Sequence, residues 1–222
     1  MSGFLRTFRA GECRAVVFWL LLLGSWQFLA SPGRKAGIVG AIGVAAFLVY
    51  AWRNIDRLRG LGLDHARWRS TARVNWMLAA VSGILAGSVV FAIGTTSGQN
   101  MRLGDNWELA VLQMTLGPVL EEIVFRGYLF AFLVWLLSNA ANQTARDLSV
   151  VVFAAVVFAL VHLAQPGVSW LQLACITSTG TLYGWIRWRS GSTAPAAVSH
   201  AAYNLALHAF SGAVLLGEKT SR

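Results

Sequence analysis

Seven polar side chains that are costly to place in hydrocarbon lie within apolar stretches of the second half of this chain. They are Glu121, Glu122, Arg126, His162, His200, Asn204 and His208. An ionisable group at the centre of a bilayer costs about 2.5–3.5 kcal/mol on insertion scales, so such groups are usually paired or functional. Carboxylates, imidazoles and an amide together can activate a water molecule and stabilise the oxyanion of an attacked carbonyl. The set therefore favours hydrolysis of an amide within a membrane.

Two adjacent carboxylates are the centre of this set. Glu122 and Arg126 are four residues apart, so they share a helix face and can form an ion pair. Glu121 points about 100° away from Glu122, and Phe125 occupies the position four residues further on. A buried carboxylate without a helical partner must find one on another helix, which makes Glu121 the better candidate for a general base. A purely structural role for the trio is the alternative. We also expect Pro118 to kink this helix beside a polar cavity.

The imidazoles and the amide belong to two other predicted helices. His162 follows Phe158 by one helical turn, while His200 and Asn204 are four residues apart and share one stripe. An imidazole and an amide on one stripe can polarise a carbonyl and hold an oxyanion. The alternative for them is hydrogen bonding between helices, as membrane bundles often show. His208 continues the stripe, but a packed or lumen-facing role is favoured for it.

The composition indicates that these residues are positioned by a polytopic membrane bundle. Of 222 residues, 56% are hydrophobic and 12% are charged, which is about half the charge of a typical soluble domain. This excludes a soluble domain, a disordered chain and a single membrane anchor. Apolar segments that approach the length needed to cross the hydrocarbon lie at 15–30, 36–52, 75–93, 108–137, 149–164, 170–188 and 196–216. We expect an all-α transmembrane bundle of about seven spans that forms one membrane domain over residues 1–222.

Basic residues predict the orientation of this bundle. With the N-terminus inside, the inner segments hold 12 Lys or Arg residues and the outer segments hold 5, and Arg187 is counted with the inner ones. The positive-inside rule explains this bias, so the net charge of +9 does not require a nucleic-acid partner. Residues 53–73 alternate Arg with Leu, Trp and His, which favours an amphipathic helix on the inner leaflet. A plain basic loop is the alternative.

Three motifs on the predicted spans resemble those of a known family. They are Glu121-Glu122-x-x-x-Arg126, Phe158-x-x-x-His162 and His200-x-x-x-Asn204. Over residues 118–207 the chain resembles the CPBP family, which comprises the CAAX proteases and bacteriocin-processing enzymes also called Abi proteins. The resemblance implies a glutamate-dependent intramembrane endopeptidase. Its substrate would be a membrane-associated protein or peptide, and its location a bacterial or archaeal cytoplasmic membrane.

The resemblance also implies a role for each motif residue. Glu121 would activate water and His162 would help to place it, while His200 and Asn204 would stabilise the oxyanion. Glu122 and Arg126 would support them as a pair. No cofactor is expected. Zinc held by Glu121, His162 and His200 is the less favoured alternative, because the paired-ligand motif His-Glu-x-x-His is absent.

The sequence leaves the substrate and two rival functions open. Prenylated C-termini, bacteriocin leaders and C-terminal sorting tags of surface proteins are all compatible with the resemblance. A transporter could use the same Glu, His and Arg residues as an ion relay. A non-catalytic membrane scaffold or immunity protein is the third interpretation.

One feature of the predicted topology conflicts with a shared site. Strict alternation of the spans puts His162 near the outer end of one helix and His200 near the inner start of another. At about 1.5 Å per residue their depths would differ by more than about 10 Å. A common site then requires a broken, re-entrant or strongly tilted helix. The segment 108–137 and the break at 165–167 are the candidates.

Overall fold

Every regular element is helical in the part of the chain that the computed structural model describes, which is residues 71–99, 114–164 and 167–220 with positions 42, 45, 46, 49, 53 and 111. The elements are α1 (Arg73–Thr96), α2 (Leu116–Glu122), a π-helical segment (Ile123–Leu129), α3 (Phe130–Leu136), α4 (Gln143–Val161), a 3-10 turn (His162–Ala164), α5 (Trp170–Ser190) and α6 (Thr193–Thr220). No residue outside helical geometry separates α2 from α3, so the two helices and the π-helical segment form one rod.

Two of these helices, α1 and α4, have the length and apolar composition needed to cross a membrane. Large apolar side chains project from both of them, such as Met77 on α1 and Phe153 on α4, which are 68% and 59% exposed. Lipid-facing surfaces have this character because hydrocarbon solvates apolar groups well. The prediction of an all-α fold with membrane-spanning helices is confirmed at this level.

Five of the seven predicted spans coincide with described helices. Segments 75–93, 149–164, 170–188 and 196–216 correspond to α1, α4, α5 and α6, and segment 108–137 contains the rod from α2 to α3. The predicted spans 15–30 and 36–52 and the amphipathic segment 53–73 lie wholly or mostly outside the described residues. The count of seven therefore stays a prediction.

Local sequence signals set the ends of α4 and α5. The Asn142 side chain accepts a hydrogen bond of 3.0 Å from the Ala145 amide and caps α4. Ser169 and Gln172 form a reciprocal capping box at the start of α5. Gly191 ends α5 with a φ of 69°, a left-handed conformation that glycine adopts without steric cost.

Counting the rod as one element, successive elements run in alternating directions along the chain. The bundle therefore has two ends. The Ser169 hydroxyl donates to the Gln99 side-chain oxygen, which joins the start of α5 to the end of α1. At the opposite end, Trp188 Nε1 donates to Asp147 Oδ2 over 3.2 Å, which joins the end of α5 to the start of α4. We call the first the His162 end, because α4 ends there directly before His162. We call the second the Arg146 end.

The contact between α1 and α6 is close because α1 carries glycines where the helices meet. A Cβ atom on Gly83 would lie 2.1 Å from the Ser199 carbonyl oxygen. Further along both helices, Phe91 stacks on Phe210 with 5.5 Å between ring centroids, so α1 and α6 run parallel. Small residues permit this approach of two backbones in a membrane. The contact determines where α6 lies in the bundle.

Pro118 lies in the first turn of α2, and a turn at Thr115 separates this helix from the helical residues Val111 and Met114. A proline has no N–H to donate to the carbonyl four residues earlier, so the break is consistent with the kink expected at Pro118. A second irregularity lies further on, in the π-helical segment Ile123–Leu129. Short π-helical turns inside α-helices are often found at functional sites, and this one contains Arg126.

Candidate active site

The centre of the site is a fully buried ion pair between Glu122 and Arg126. Arg126 Nη1 donates to Glu122 Oε1 over 3.2 Å, and both side chains are 0% exposed. This is the pair that the four-residue spacing predicts. Because a guanidinium is always protonated in proteins, it compensates the charge of the Glu122 carboxylate where water cannot.

The rest of the Arg126 guanidinium is enclosed by α4 and α5. Its Nη2 donates to the Gly180 carbonyl over 2.7 Å. The guanidinium carbon lies 4.5 Å from the Phe158 ring centroid and 5.4 Å from that of Tyr183. Aromatic faces attract cations through their quadrupole, so these contacts stabilise the buried charge. A Cβ on Gly180 would lie only 3.2 Å from Arg126 Nη2, so the absence of a side chain there makes room for the guanidinium.

His200 on α6 joins this pair from the other side. Its Nδ1 lies 3.1 Å from Glu122 Oε1. Because a carboxylate can only accept, Nδ1 is the donor and carries a proton. Its Nε2 then lies 3.8 Å from Glu121 Oε2. The Tyr183 ring stacks on the imidazole with 4.7 Å between centroids and 17° between planes. His200 is therefore held at one nitrogen by Glu122 and presents the other to Glu121.

The two adjacent glutamates have different environments. The Glu121 side chain is 12% exposed and that of Glu122 is 0% exposed. Glu122 Oε1 is already occupied by Arg126 and His200, whereas Glu121 meets His200 only at 3.8 Å, which is longer than a hydrogen bond. Of the two carboxylates, Glu121 is the one able to contact a water molecule.

His162 lies directly after α4, and its ring orientation is set by its own helix. Its Nδ1 lies 2.8 Å from the Phe158 carbonyl oxygen. A carbonyl can only accept, so Nδ1 carries the proton, and Nε2 of the neutral ring is left as an acceptor. An acceptor of this kind can take a hydrogen bond from a water molecule.

Phe158 brings the two imidazoles into one site. Its ring makes edge contacts with both, at centroid distances of 4.8 Å to His162 and 5.8 Å to His200. The two imidazoles meet although His162 follows the end of α4 and His200 lies two turns after the start of α6, because the Phe158 ring lies between them. No re-entrant helix is needed among the described elements to bring these residues together.

The other two residues of the predicted α6 stripe are placed as follows. Asn204 is buried one turn after His200. His208 lies one turn further on, and its buried Nε2 has no hydrogen-bond partner among the described residues. The stripe thus leads from the glutamates toward the His162 end of the bundle.

Sequence reasoning missed the burial of Arg187 and the role of Tyr183. Arg187, counted with the inner basic residues, is only 2% exposed near the end of α5, and its Nε donates to the Arg126 carbonyl over 3.1 Å. The Phe130 ring also lies 5.8 Å from its guanidinium carbon. These partners explain why a charged residue is buried there. Tyr183 lies four residues before Arg187 in an apolar span. This i,i+4 spacing to a cation was the signal that could have singled out Tyr183.

Among the described residues, no group of three or more His, Cys, Asp or Glu side chains is arranged to hold a metal ion. The hydrogen bonds that His200 and His162 make through Nδ1 leave Nε2 of each ring facing the site.

Taken together, the fold and the site define a helical membrane protein with a buried carboxylate and imidazole centre, a combination suited to hydrolysis inside a bilayer. Residues 103–206 match the family model described as Rce1-like, type II CAAX prenyl endopeptidase Rce1-like. This match agrees with the resemblance to the CAAX proteases of the CPBP family that the three motifs predicted. The matched region is thus similar to membrane endopeptidases of the CAAX type. No curated protein and no solved structure matches it significantly.

Proposed function

We propose that this protein hydrolyses a peptide bond of a membrane-associated protein or peptide by a metal-free mechanism in which Glu121 activates water. The observation that carries the proposal is that the two glutamates differ in their partners and in their exposure. Glu122 is occupied by Arg126 and His200, and Glu121 is partly exposed beside His200 Nε2. The family match supports proteolysis in general, and this geometry supports the choice of residues.

The first step is the attack of water on the scissile carbonyl. A water molecule about 2.8 Å from Glu121 Oε2 can also reach His200 Nε2, since these two atoms are 3.8 Å apart. Glu121 takes one proton from this water as its oxygen bonds to the carbonyl carbon. His162 Nε2 accepts the second hydrogen of the water and orients it. The product of this step is a tetrahedral intermediate with a negatively charged oxygen.

The second step is the collapse of that intermediate. In this mechanism the His200 ring carries a proton on each nitrogen before the attack and keeps both throughout, so its Nε2–H and the Asn204 side-chain amide donate to the oxyanion. Glu122 accepts the hydrogen bond from Nδ1–H and is itself paired with Arg126. Glu121 then gives its proton to the amide nitrogen, the C–N bond breaks, and the products are a carboxyl group and an amine.

The experiment compares cells that express the wild-type protein with cells that express Glu121→Gln. Mass spectrometry of membrane peptides should show cleavage products with the wild type and none with the variant. Purified Glu121→Gln should lose about 10²–10⁴-fold in kcat, because general base catalysis contributes this much. Asp147→Asn is the matched control, because this carboxylate bonds Arg146 and Trp188 at the opposite end of the bundle, and its cleavage rate should be unchanged.

Two results would contradict the proposal. Retained cleavage by purified Glu121→Gln would remove the assignment of this residue as the base. Inactivation by a zinc chelator, with recovery on adding zinc, would show that the mechanism is not metal-free.

A further inference from the structure

Helix α5 carries no residue of the three motifs, yet it encloses the charged centre of the site. Its Gly180 carbonyl accepts from Arg126 Nη2 over 2.7 Å, and the Arg187 side chain donates to the Arg126 carbonyl over 3.1 Å. Tyr183 lies between these two contacts, less than one turn after the first and one turn before the second. Because α5 is bonded to the rod on both sides of Tyr183, the backbone there is held in place relative to Arg126.

The Tyr183 ring lies against both groups that donate to Glu122 Oε1. One is the His200 imidazole, whose plane is inclined by only 17° to the Tyr183 ring, with 4.7 Å between centroids. The other is the Arg126 guanidinium, whose central carbon lies 5.4 Å from the ring centroid. Tyr183 is 1% exposed, so water does not weaken these contacts. The attraction between a cation and an aromatic face is stronger where both are desolvated.

The His200 ring needs more than its hydrogen bond to keep Nε2 in place. The bond between Nδ1 and Glu122 Oε1 fixes only one point of the ring. A ring held at one atom can tilt about that atom, and Nε2, on the other side of the ring, then moves away from Glu121. Phe158 meets the imidazole at 90°, whereas Tyr183 is nearly parallel to it. The parallel contact is the one that resists a tilt of the imidazole plane.

From these contacts we propose that Tyr183 is a positioning residue, and that the face of its ring holds the doubly protonated His200 imidazole with Nε2 directed at Glu121. The inference rests on the proposed function and deepens it. In that mechanism His200 carries a positive charge throughout, close to the positive charge of Arg126. The Tyr183 ring attracts both cations through its quadrupole and so favours this charged arrangement. Tyr183 acts through His200 and not on the substrate.

A pair of substitutions separates the ring from the hydroxyl. Tyr183→Phe keeps the ring and should keep nearly full kcat. Tyr183→Met fills similar space with a flexible apolar chain. Without the aromatic face its kcat should fall by about 5–30-fold, while KM stays unchanged because the lost interaction acts in the transition state.

Phe91→Met is the matched control. It removes another aromatic stack, the one between Phe91 on α1 and Phe210 on α6, and should leave kcat unchanged. Wild-type kcat in Tyr183→Met would overturn the proposal. Equal losses in Tyr183→Phe and Tyr183→Met would also overturn it, because the hydroxyl and not the ring would then be the active group.

Fluorination of the ring separates charge from shape and does not depend on the folding of Tyr183→Met. Phenylalanine and its mono-, di- and trifluorinated analogues are incorporated at position 183. Each fluorine withdraws electron density from the ring face and weakens its attraction for a cation, with little change in size. We expect kcat to fall stepwise along this series, with constant thermal unfolding midpoints. A constant kcat along the series would refute the role of the ring face in holding a charged His200.

Nitrogen NMR reports the position of His200 without relying on activity. The protein is labelled with ¹⁵N-histidine, and the His200 signals are identified by their loss in His200→Ala. They should be sharp in the wild type and in Tyr183→Phe. In Tyr183→Met they should be broadened, because a tilting ring exchanges between environments on the microsecond to millisecond timescale.

The NMR result and the cleavage assay can fail independently. Unchanged His200 signals in Tyr183→Met would show that Tyr183 does not hold the ring. If the wild-type protein cleaves no membrane peptide, the proposed function fails, and the NMR spectra still decide whether Tyr183 positions His200.

Discussion

The polar centre around Glu122 and the contact between α1 and α6 are both buried, but they are packed in different ways. In the polar centre, Glu122 Oε1 accepts from Arg126 and from His200, so each buried charge has a charged or polar partner. In the contact between α1 and α6, the α1 backbone packs directly against α6, because glycines without side chains lie there. A Cβ on Gly83 would lie 2.1 Å from the Ser199 carbonyl, and one on Gly87 would meet another α6 carbonyl at 2.7 Å.

The comparison shows that chemistry and position are supplied by different parts of the molecule. The charged groups on the rod and α6 form the site, but α6 can bring His200 to Glu122 only because α1 leaves room for it. Substitutions in the polar centre should therefore change catalysis or the pairing of charge. Substitutions at the glycines should change the stability of the fold first.

The largest effect is expected for His200→Ala. It removes the group that faces Glu121 and the oxyanion, so kcat should fall by about 10²–10⁴-fold, while the protein remains folded in detergent. His208→Ala is the control on the same helix and should keep nearly full activity. Measured kcat values and thermal unfolding midpoints of both variants check this. Equal losses of activity in the two variants would mean that α6 histidines act through packing and not through chemistry.

A smaller effect, on stability, is expected for Arg126→Met. It leaves the Glu122 carboxylate buried with His200 alone, and breaking a buried ion pair in this way costs about 3–5 kcal/mol. Titration with SDS in mixed micelles measures the loss in the free energy of unfolding. Arg73→Met, an exposed residue at the start of α1, should change it by less than about 0.5 kcal/mol.

A double variant sharpens this prediction. Adding Glu122→Gln to Arg126→Met removes the uncompensated charge, so it should restore a large part of the lost stability. If the double variant is no more stable than Arg126→Met, the guanidinium stabilises the fold mainly through its contacts with Gly180 and Phe158.

The smallest effect is expected for Gly83→Ala, since a single methyl group is added. It must push α6 away from α1, and overpacking of this kind costs about 1–3 kcal/mol. Gly212→Ala on α6 is the control, because no atom of the described residues lies within 4 Å of its added Cβ, and it should be neutral or slightly stabilising. Both free energies of unfolding follow from SDS titration. A neutral Gly83→Ala would show that the two helices separate freely.

Much of the site was predictable because several of its residues pair with residues one helical turn away in the chain. The spacing of Glu122 and Arg126 predicts their pair on any helix, and the pair is present even though a π-helical segment begins between them. Five of the apolar runs likewise coincide with α1, the rod, α4, α5 and α6. The burial of Arg187 and its bond to the Arg126 carbonyl were not predictable, because they depend on partners from other parts of the chain. The contacts of Tyr183 with His200 and Arg126 were not predictable for the same reason.

The sequence by itself determined the class of protein, the motif residues and the helices that carry them, because hydropathy and i,i+4 spacing act over a few turns of one helix. Only the tertiary structure decided which nitrogen of His200 faces Glu121 and how Phe158 joins two imidazoles from separate helices. It also brought apolar side chains of α3 and α4 together into one buried cluster. These outcomes depend on how closely helices approach and where each one ends, and such distances are set by packing between residues far apart in the chain.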